Sequence, residues 1–402
     1  MNVAEIKNEQ LNCTGCGACV QMCSHSCITM EYDDEGFLYP SVNTKTCVGC
    51  GICVRYCPDI NIPAKNAASS TCLAVISTAD ETEHSASGGA FMLLAESFVR
   101  QLHGVVYGCR LDLEKKAAEH VRIDSAEDLK EIQGSKYVQS SIWNVLGEVR
   151  EDLESGRNVL FSGTPCQVAC LKSCFNQYGN LYTVDLICHG VPSPIVFRDY
   201  LKWVERKIGT LCDYRFRIHS KRSIQGYLAF ARGQNGEYRR RGQDDPYYHA
   251  FLHELSYRHS CYTCKYTTAE RIGDITLGDC NSIIYRDPAF SKHRCASLVI
   301  INNSKGAMLW QRGAAGFTSK EIPLAQEIQY NKRIITSSRL NENDRKAFYE
   351  AYRDGTLFEQ YPFFKKSTAM MIRKQIIGLF PEHWIRMIRY YKKYGKKPEQ
   401  SY

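Results

Sequence analysis

The sequence lacks the features of a secreted, membrane-spanning or low-complexity protein. Its first residues, MNVAEIKNEQ, are polar and do not show the basic and then apolar order of a signal peptide. No apolar run approaches the ~18 residues that a spanning helix needs. No segment is low in complexity, and no internal repeat is present beyond two cysteine runs. We therefore expect a soluble, cytoplasmic protein, and 402 residues suggest two or three domains.

The body of the chain also lacks a net charge. The formal charge is +8, but residues 365–397 alone hold ten Lys or Arg residues and one acidic residue, Glu382, which gives +9. The remainder holds 41 basic and 42 acidic residues. A neutral body argues against a nucleic-acid-binding protein, because such proteins carry basic patches on the domain that binds.

The positive excess belongs to a C-terminal tail, residues 356–402, that mixes basic and apolar residues. Pro381 divides it into two predicted short helices, and Trp384 lies on the apolar side of the second. One interpretation is an amphipathic anchor that contacts an acidic partner or the inner face of a membrane peripherally. The other, slightly favoured, is a helical segment that packs on its own domain with a solvated basic face.

Twenty cysteines contrast with these absences, and nine of them lie between Cys13 and Cys57. In a chain without an export signal, grouped cysteines indicate metal or redox sites rather than disulfides. Residues 13–23 and 47–57 both have the spacing C-x2-C-x2-C-x3-C. This spacing wraps a chain around a 4Fe–4S cluster, whereas zinc prefers two pairs of ligands. The sequence therefore predicts a bacterial-type ferredoxin domain with two clusters.

In such domains the first three cysteines of a run bind one cluster and the fourth binds the other. This rule assigns Cys13, Cys16, Cys19 and Cys57 to cluster 1, and Cys47, Cys50, Cys53 and Cys23 to cluster 2. Pro58 follows Cys57, as is usual, but Ser24 follows Cys23. A ninth cysteine, Cys27, is interpreted as a buried core residue rather than a ligand.

The remainder of the chain predicts a mixed fold of the α+β or α/β class. Residues 1–62 form the ferredoxin domain, 63–84 a linker, 85–355 a mixed α/β domain, and 356–402 the tail. Strands and helices alternate through 105–208, which favours a partly parallel sheet. Residues 227–241 predict a hairpin, in which Asn235-Gly236 fits a type I′ turn.

Several short strings in the larger domain resemble one family. They are Ser87-Gly88-Gly89, Gly134-Ser135-Lys136-Tyr137-Val138, the 161–167 string FSGTPCQ, the 185–194 string DLICHGVPSP, Cys261-x2-Cys264-Lys265, and the 274–279 string DITLGD. Together they resemble the coenzyme F-420 (deazaflavin) hydrogenase/dehydrogenase beta-subunit family, in which a fused N-terminal ferredoxin is common. The resemblance covers residues 85–355. It implies an iron–sulfur flavoprotein that binds FAD and passes electrons between clusters, flavin and an organic substrate or deazaflavin.

The glycine-containing strings are the predicted flavin site. Residues 158–167 indicate a strand, a glycine turn at Gly163 and a helix that Thr164 caps and Pro165 starts. A helix start after a glycine turn can bind an anion such as a pyrophosphate. Ser87, Gly88 and Gly89 offer a second close approach to phosphate. Gly134, Ser135, Lys136 and Tyr137 supply a cation and an aromatic ring. Without the resemblance, an ordinary α/β connection is favoured for residues 158–167, and a solvated loop lysine explains Lys136 equally well.

Four further cysteines are the predicted ligands of a third cluster. Cys261-x2-Cys264 is half of a site, and Cys166 and Cys188 lie where buried strands end. The resemblance implies that these four hold a 4Fe–4S cluster, while zinc and an unligated group stay open. Because Cys166 lies in the first turn of a helix, the helix dipole is expected to favour its thiolate. Cys170 and Cys174 are interpreted as a buried helix face, and Cys109 as structural.

His189 is a proton-donor hypothesis, with a turn or ligand-supporting role as the equal alternative. The first functional hypothesis is an oxidoreductase with FAD and two or three 4Fe–4S clusters. The second is an electron-transfer subunit that docks on a separate catalytic protein and has no substrate of its own. Both require a redox partner protein or a small-molecule electron donor or acceptor. Neither the substrate nor the oligomeric state is legible from the sequence.

Overall fold

The computed structural model describes residues 3, 12–78, 85–218, 228–280, 282–283, 287, 290 and 296–363. The predicted tail lies outside these residues from position 364 onward, and so does Cys295. Within them, the chain forms an N-terminal ferredoxin-like module and a larger mixed α/β part. No helix in the described ranges has both the length and the apolar character to cross a membrane.

The ferredoxin-like module repeats one local structure twice. Each cysteine run contains a one-turn helix that begins after a glycine with positive φ, 79° at Gly17 and 74° at Gly51. A hairpin connects the two runs, with Ile28 opposite Val42 and Tyr32 opposite Leu38. Its elements are α1 (Ala18–Gln21), β1 (Ile28–Tyr32), β2 (Leu38–Val42) and α2 (Ile52–Arg55). The shared cysteine spacing thus becomes a shared backbone path.

The larger part is built on an eight-stranded mixed sheet. Its strands are β3 (Thr71–Ser77), β4 (Val105–Asp112), β5 (Ala117–Ile123), β6 (Val159–Gly163), β7 (Leu181–Leu186), β11 (Ile275–Cys280), β12 (Ala296–Ile301) and β13 (Phe317–Pro323). Their order is β13-β3-β12-β11-β7-β6-β4-β5. The four strands β11, β7, β6 and β4 pair in parallel, while the pairs at both sides are antiparallel. The carboxyl ends of the parallel strands therefore lie at one edge.

Helices cover both faces of this sheet, as the alternation of side chains in its strands requires. In β4, Tyr107 faces a core that also contains Leu146 and Val168, whereas Val106 faces a core with Phe98 and Trp310. The helices are α3 (Ala90–Leu102), α4 (Leu146–Glu154), α5 (Pro165–Phe175), α6 (Pro194–Ile208), α7 (Pro246–Leu252), α8 (His259–Tyr262), α9 (Ser304–Gly313), α10 (Leu324–Tyr330) and α11 (Glu342–Arg353).

A second, three-stranded antiparallel sheet consists of β8 (Leu211–Ile218), β9 (Leu228–Gly233) and β10 (Gly236–Arg241). The predicted hairpin is present, but its turn is one residue earlier than predicted. Gly236 already pairs with Gly233, so the turn residues are Gln234 and Asn235. A type I′ turn needs positive φ at both positions, and neither residue is among the described ones with positive φ. The type I′ prediction is therefore wrong.

The linker prediction over 63–84 is wrong for residues 71–77, which form the buried strand β3 between β12 and β13. The Ala-, Ser- and Asn-rich stretch before it does lack helix and strand. The sequence TCLAVIS, however, is an apolar run of the kind that a strand covered on both faces requires. The chain therefore enters the main sheet soon after it leaves the ferredoxin-like module.

A buried arginine connects the module to the larger part. The guanidinium of Arg258, 1% exposed, donates to the carbonyl oxygens of Cys13 at 2.5 Å and Leu38 at 2.8 Å. It also donates to the side-chain oxygen of Gln139 at 3.2 Å and lies 4.1 Å from the ring centroid of Tyr39. The planar fork of an arginine suits several acceptors at once. Arg258 therefore holds the first cysteine run and the hairpin against the larger part.

Further contacts keep the module in one orientation. Arg345 pairs with Glu35 in the hairpin loop, and Gln139 donates to the carbonyl oxygen of Thr14 at 2.9 Å. The hydroxyl of Tyr266 donates to the carbonyl oxygen of Pro58 at 2.7 Å. These contacts involve both cysteine runs, so both have a defined position relative to the main sheet.

Replacing Arg258 should detach the module without disturbing the main sheet. Arg258→Met leaves the carbonyl oxygens of Cys13 and Leu38 buried without a charged donor, which we expect to cost roughly 2–4 kcal/mol of stability. Denaturant titration followed by the visible absorbance of the clusters should show this loss, and limited proteolysis should cut faster between residues 57 and 71. Arg55→Met, at an exposed position of α2, is the matched control. Equal titrations for the two variants would contradict the role of Arg258.

Candidate cluster and flavin sites

A cavity in the ferredoxin-like module is lined by Cys13, Cys16, Cys19 and Cys57. These are the four residues that the spacing rule assigned to cluster 1, and Cys57 comes from the second run. The backbone N–H of Gly15 donates to the sulfur of Cys13 at 3.4 Å. Such N–H···S hydrogen bonds support cluster ligands in ferredoxins. The structure thus brings the predicted set together around one space.

Three of the four residues predicted for cluster 2 pack together. Cys23, Cys47 and Cys53 belong to one small apolar cluster of side chains, whereas Cys50 is exposed. Burial raises the pKa of the Cys23 thiol, but hydrogen bonds from Cys27 and from the backbone N–H groups of residues 25 and 26 bring that pKa below its ordinary value. The environment of Cys23 therefore favours its thiolate form. Cys27 is buried in the same cluster, as predicted for a core residue.

The four cysteines predicted for a third cluster come from four different places in the chain. Cys166 is in the first turn of α5, and Cys188 lies two residues beyond β7. Both therefore lie at the carboxyl edge of the parallel strands. Cys261 is part of α8, and Cys264 follows that helix. All four side chains are partly buried.

The pKa values of these thiols show that the four side chains lie within electrostatic reach of one another. Burial is the largest cause that raises the pKa of Cys166, followed by the thiols of Cys264 and Cys188. Burial raises the pKa of Cys188 to about 12, with Cys264 as a further cause. For Cys261 burial is again the largest cause, followed by Cys188, Cys166 and Cys264. The group therefore brings together partly buried thiols whose ionised forms repel one another.

The helix dipole is expected to favour the Cys166 thiolate, but burial outweighs this effect in the protein alone. A helix N-terminus contributes roughly 0.3–1 kcal/mol at exposed sites. Burial beside two other thiols outweighs this, so the pKa of Cys166 lies above its ordinary value. Among the described residues, no three His, Cys, Asp or Glu side chains form a ready site for a single metal ion. A donor set of thiolates alone suits zinc or an iron–sulfur cluster.

This cysteine group adjoins the cavity of the module. The Cys16 thiol is a further cause of the raised pKa of Cys166, and the Cys170 thiol lies 3.6 Å from the carbonyl oxygen of Cys16. Tyr266 is buried between them: burial raises its pKa first, and then the thiols of Cys166 and Cys16 do. The sequence interpretation missed Tyr266, although it lies two residues after Cys264. Cys170 and Cys174 are buried, which agrees with a helix face, but Cys170 also contacts a predicted ligand.

The predicted flavin residues around Gly163 form the expected strand, turn and helix. Gly163 ends β6, Thr164 caps α5 in a reciprocal capping box with Gln167, and Pro165 is the first helical residue. The side-chain amide of Gln167 also donates to the carbonyl oxygen of Ser140 at 3.1 Å. The turn is therefore tied to the loop that carries Gly134 and Lys136.

That loop is tied in turn to the Ser87–Gly89 segment. The Gln133 amide donates to the hydroxyl of Ser85 at 2.9 Å. Gly89 precedes α3 with φ 82°, and Gly134 has φ 81°. Packing requires a glycine at position 88, because a Cβ on Gly88 would lie 2.3 Å from the carbonyl oxygen of Val75. The three predicted segments are thus neighbours, although they lie up to 78 residues apart in the sequence.

Lys136 is half-buried in this loop and is not the solvated lysine of the alternative interpretation. Its ammonium donates to the carbonyl oxygens of Gln133 at 2.8 Å and Gly134 at 3.3 Å, and burial lowers its pKa to about 8. Two residues that the sequence interpretation did not assign to this site lie within electrostatic reach of Lys136. They are Cys109, whose pKa burial raises, and His120, whose pKa burial lowers to about 4. Only their strand positions, on β4 and β5, could have indicated this.

Other predicted residues are held by packing. The ring of Tyr137 stacks on Phe251 at 4.5 Å and meets Tyr248 edge-on at 5.6 Å, so it belongs to an aromatic cluster. Ser135 beside it is half-buried. The carbonyl of His189 accepts a hydrogen bond from Ser338. Burial first, and then Arg333, lowers the pKa of His189, so its imidazole is neutral at pH 7. Its role as a proton donor stays a prediction.

Comparison with known proteins finds a matching family model for each of the two parts of the chain. Residues 12–60 match the 4Fe-4S dicluster domain, and residues 156–323 match the family described as the C terminus of the beta subunit of coenzyme F420 hydrogenase/dehydrogenase. A chain of the F420-reducing [NiFe] hydrogenase complex from Methanosarcina barkeri is structurally similar, with 16% identity and a TM-score of 0.45, over 73% of this chain and 94% of that chain. No curated protein matches the chain.

The two family matches confirm the resemblance that the sequence predicted. The chain combines a 4Fe–4S dicluster domain with the C-terminal domain of that beta-subunit family. The matched regions therefore indicate an iron–sulfur protein of electron transfer, whose larger part contains a domain found in oxidoreductase subunits.

The burial of Lys136 has a measurable consequence in the protein without a bound ligand. Because burial favours the neutral amine, Lys136 should titrate near pH 8, about two units below an ordinary lysine. The pH dependence of reductive methylation, followed residue by residue by mass spectrometry, should show this. Lys115 is the control, since its hydrogen bond to Glu119 raises its pKa. A profile of Lys136 that coincides with that of Lys115 would contradict the burial argument.

Proposed function

We propose that this chain is an iron–sulfur flavoprotein oxidoreductase that binds FAD and three 4Fe–4S clusters. One observation carries the proposal: the predicted flavin segments and the third cysteine group meet at the carboxyl edge of one sheet, beside the first cysteine run. Gly163 and Cys166 are separated by two residues at that edge, and Cys166 lies within electrostatic reach of Cys16. A flavin and three clusters at these positions would follow one another along one path for electron transfer.

The residues that would hold the clusters are all thiols, a donor set that suits iron–sulfur clusters. Cys13, Cys16, Cys19 and Cys57 would bind cluster 1, and Cys47, Cys50, Cys53 and Cys23 would bind cluster 2. In the third group, Cys166, Cys188, Cys261 and Cys264 offer only thiolates in a buried setting. Their raised pKa values oppose ionisation in the protein alone. A cationic cluster core offsets that cost, since metal ligation keeps a thiol deprotonated.

The residues that would hold FAD form a glycine-lined site that suits a bound anion. The start of α5 after Gly163 presents the positive end of a helix dipole to a pyrophosphate, although Pro165 has no N–H and the Thr164 N–H already donates to Gln167 Oε1 at 2.9 Å. Gly89 and Gly134 leave the backbone open where a Cβ would stand. The half-buried ammonium of Lys136 supplies a positive charge. When bound, the flavin would exchange two electrons with an organic substrate and single electrons with the clusters. Lys136 would then orient it and stabilise its negative charge.

The second function, an electron-transfer subunit that docks on a separate catalytic protein, is favoured by exposed apolar side chains of the module. Cys50 is exposed, and Val48 beside it is 63% exposed. Tyr32 and Ile62 are also exposed, at 54% and 45%, and both belong to the module. Exposed apolar side chains beside a cluster suit a protein partner. Co-purification of a stable complex, in which the flavin does not react with small electron acceptors, would select this function.

Flavin content tests the proposal directly. Anaerobically purified protein should contain about one FAD per chain, released by acid and identified by chromatography. Lys136→Met should weaken FAD binding at least roughly tenfold, because a partly buried charge contact is worth about 1.5–3 kcal/mol. Lys130→Met, at an exposed position nearby, should bind FAD normally. Cluster-replete protein without any flavin would refute the enzyme proposal and leave the electron-transfer subunit.

Iron content tests the third cluster. The double variant Cys261→Ser, Cys264→Ser should lose about four irons of about twelve, with the ferredoxin EPR signals retained. Flavin reduction by one-electron donors should then fail, while hydride donors still reduce it. Cys174→Ser, a buried position of α5, should change stability but not iron. A reconstituted wild-type protein with only eight irons, and zinc or nothing at Cys261, would refute the third cluster.

A further inference from the structure

A fifth thiol lies against the predicted ligands of cluster 2. The sulfur of Cys27 is 3.4 Å from the sulfur of Cys23, and the Cys27 thiol also contacts the thiol of Cys47. Cys27 is 6% exposed, and its neighbours are the buried residues of the same small cluster. A core residue needs only apolar neighbours, whereas this thiol faces two residues that are predicted to bind iron.

The backbone between the two cysteines is shaped so that their sulfurs meet. After α1 the chain turns at Ser26, whose φ of 47° is in the left-handed region that non-glycine residues rarely adopt. The N–H of Ser26 donates to the carbonyl oxygen of Cys23 at 3.2 Å, and the N–H of Asn43 donates to that of Cys27 at 2.8 Å. The turn therefore brings residue 27 back over residue 23 before β1 begins at Ile28.

The second cysteine run provides an internal comparison. Cys57 corresponds to Cys23, and the residue four positions later is Asn61. The Asn61 amide donates to the carbonyl oxygens of Val54 at 2.9 Å and Arg55 at 3.3 Å, and the residue is exposed. The two halves of the module thus differ at this position: an amide caps α2 in one half, and a buried thiol faces the ligands in the other.

We propose that Cys27 is an alternative ligand of cluster 2, able to bind the same iron as Cys23. Each iron of a 4Fe–4S cluster takes one protein thiolate, so only one of the two cysteines binds at a time. The bound sulfur has lost its proton, and the other keeps its thiol hydrogen and donates it to the bound sulfur. This replaces the interpretation of Cys27 as a core residue. It rests on the dicluster domain alone and not on FAD or a third cluster.

Five variants test the proposal, each reconstituted anaerobically and compared with the unmutated protein. Cys23→Ser and Cys27→Ser should each retain all iron, whereas the double variant should lose about four irons per chain. Cys57→Ser is the matched control, because Asn61 cannot replace the missing thiolate, and it should lose about four irons alone. Cys23→Ala should behave like Cys23→Ser, which excludes the serine oxygen as the substitute ligand. Low-temperature EPR should show shifted cluster 2 signals in the Cys23 variants only.

The result that would overturn the proposal is loss of about four irons from Cys23→Ser or Cys23→Ala with Cys27 intact. Retention of all iron by the double variant would overturn it as well. Misfolding is judged by size-exclusion chromatography and by the cluster 1 EPR signals. If a Cys23 variant loses every cluster while Cys57→Ser keeps cluster 2, Cys27 has failed to substitute and the proposal falls. Absence of a third cluster would lower the iron total of all variants equally, and absence of FAD would not change it, so these differences stay intact in both cases.

Discussion

The burial of one guanidinium between the ferredoxin-like module and the α/β part is the interaction on which the rest depends. Arg258 donates to the carbonyl oxygens of Cys13 and Leu38, and its charge rests on Tyr39 rather than on a carboxylate. A buried cation is stable only when its donors are used, so the module has little freedom to move. The first cysteine run therefore stays beside α5. Without that constraint, the position of Cys16 beside Cys166 would depend on the peripheral contacts of Arg345, Gln139 and Tyr266 with the module.

The second constraint is the cost of collecting thiols out of water. In the third group each thiol is partly buried and raises the pKa of its neighbours, and the same opposition acts around Cys16 and Cys170. A fold that accumulates groups whose ionised forms repel one another is stabilised by a cation that all of them share. Folding of this protein and loading with iron should consequently be coupled, as they are at other metal sites built from cysteine. The exception is Cys23, whose hydrogen bonds already favour its ionised form.

The third constraint is the parallel centre of the large sheet. Because β6 and β7 run in the same direction, the residues that follow them meet at one edge, and α5 begins there with a capped first turn. The amide side chains of Gln133 and Gln167 then join three separate loops into one surface. Lys136 lies in the middle loop, where hydrogen bonds to two carbonyl oxygens hold an ammonium that burial destabilises. An anion at this surface would relieve that cost.

The sequence by itself predicted the ferredoxin ligands and determined the helix start at Thr164, because spacing and capping act over a few residues. It also indicated the mixed sheet, since strands buried on both faces are apolar runs, although the run at 71–77 was mistaken for part of a linker. Only the tertiary structure decided which distant residues meet: Arg258 with Cys13, Lys136 with Cys109 and His120, and Cys27 with Cys47. It also showed that burial raises the pKa of Cys166 by more than the helix is expected to lower it. The physical reason is that burial and mutual repulsion depend on neighbours that the chain supplies from far away, and no local pattern records them.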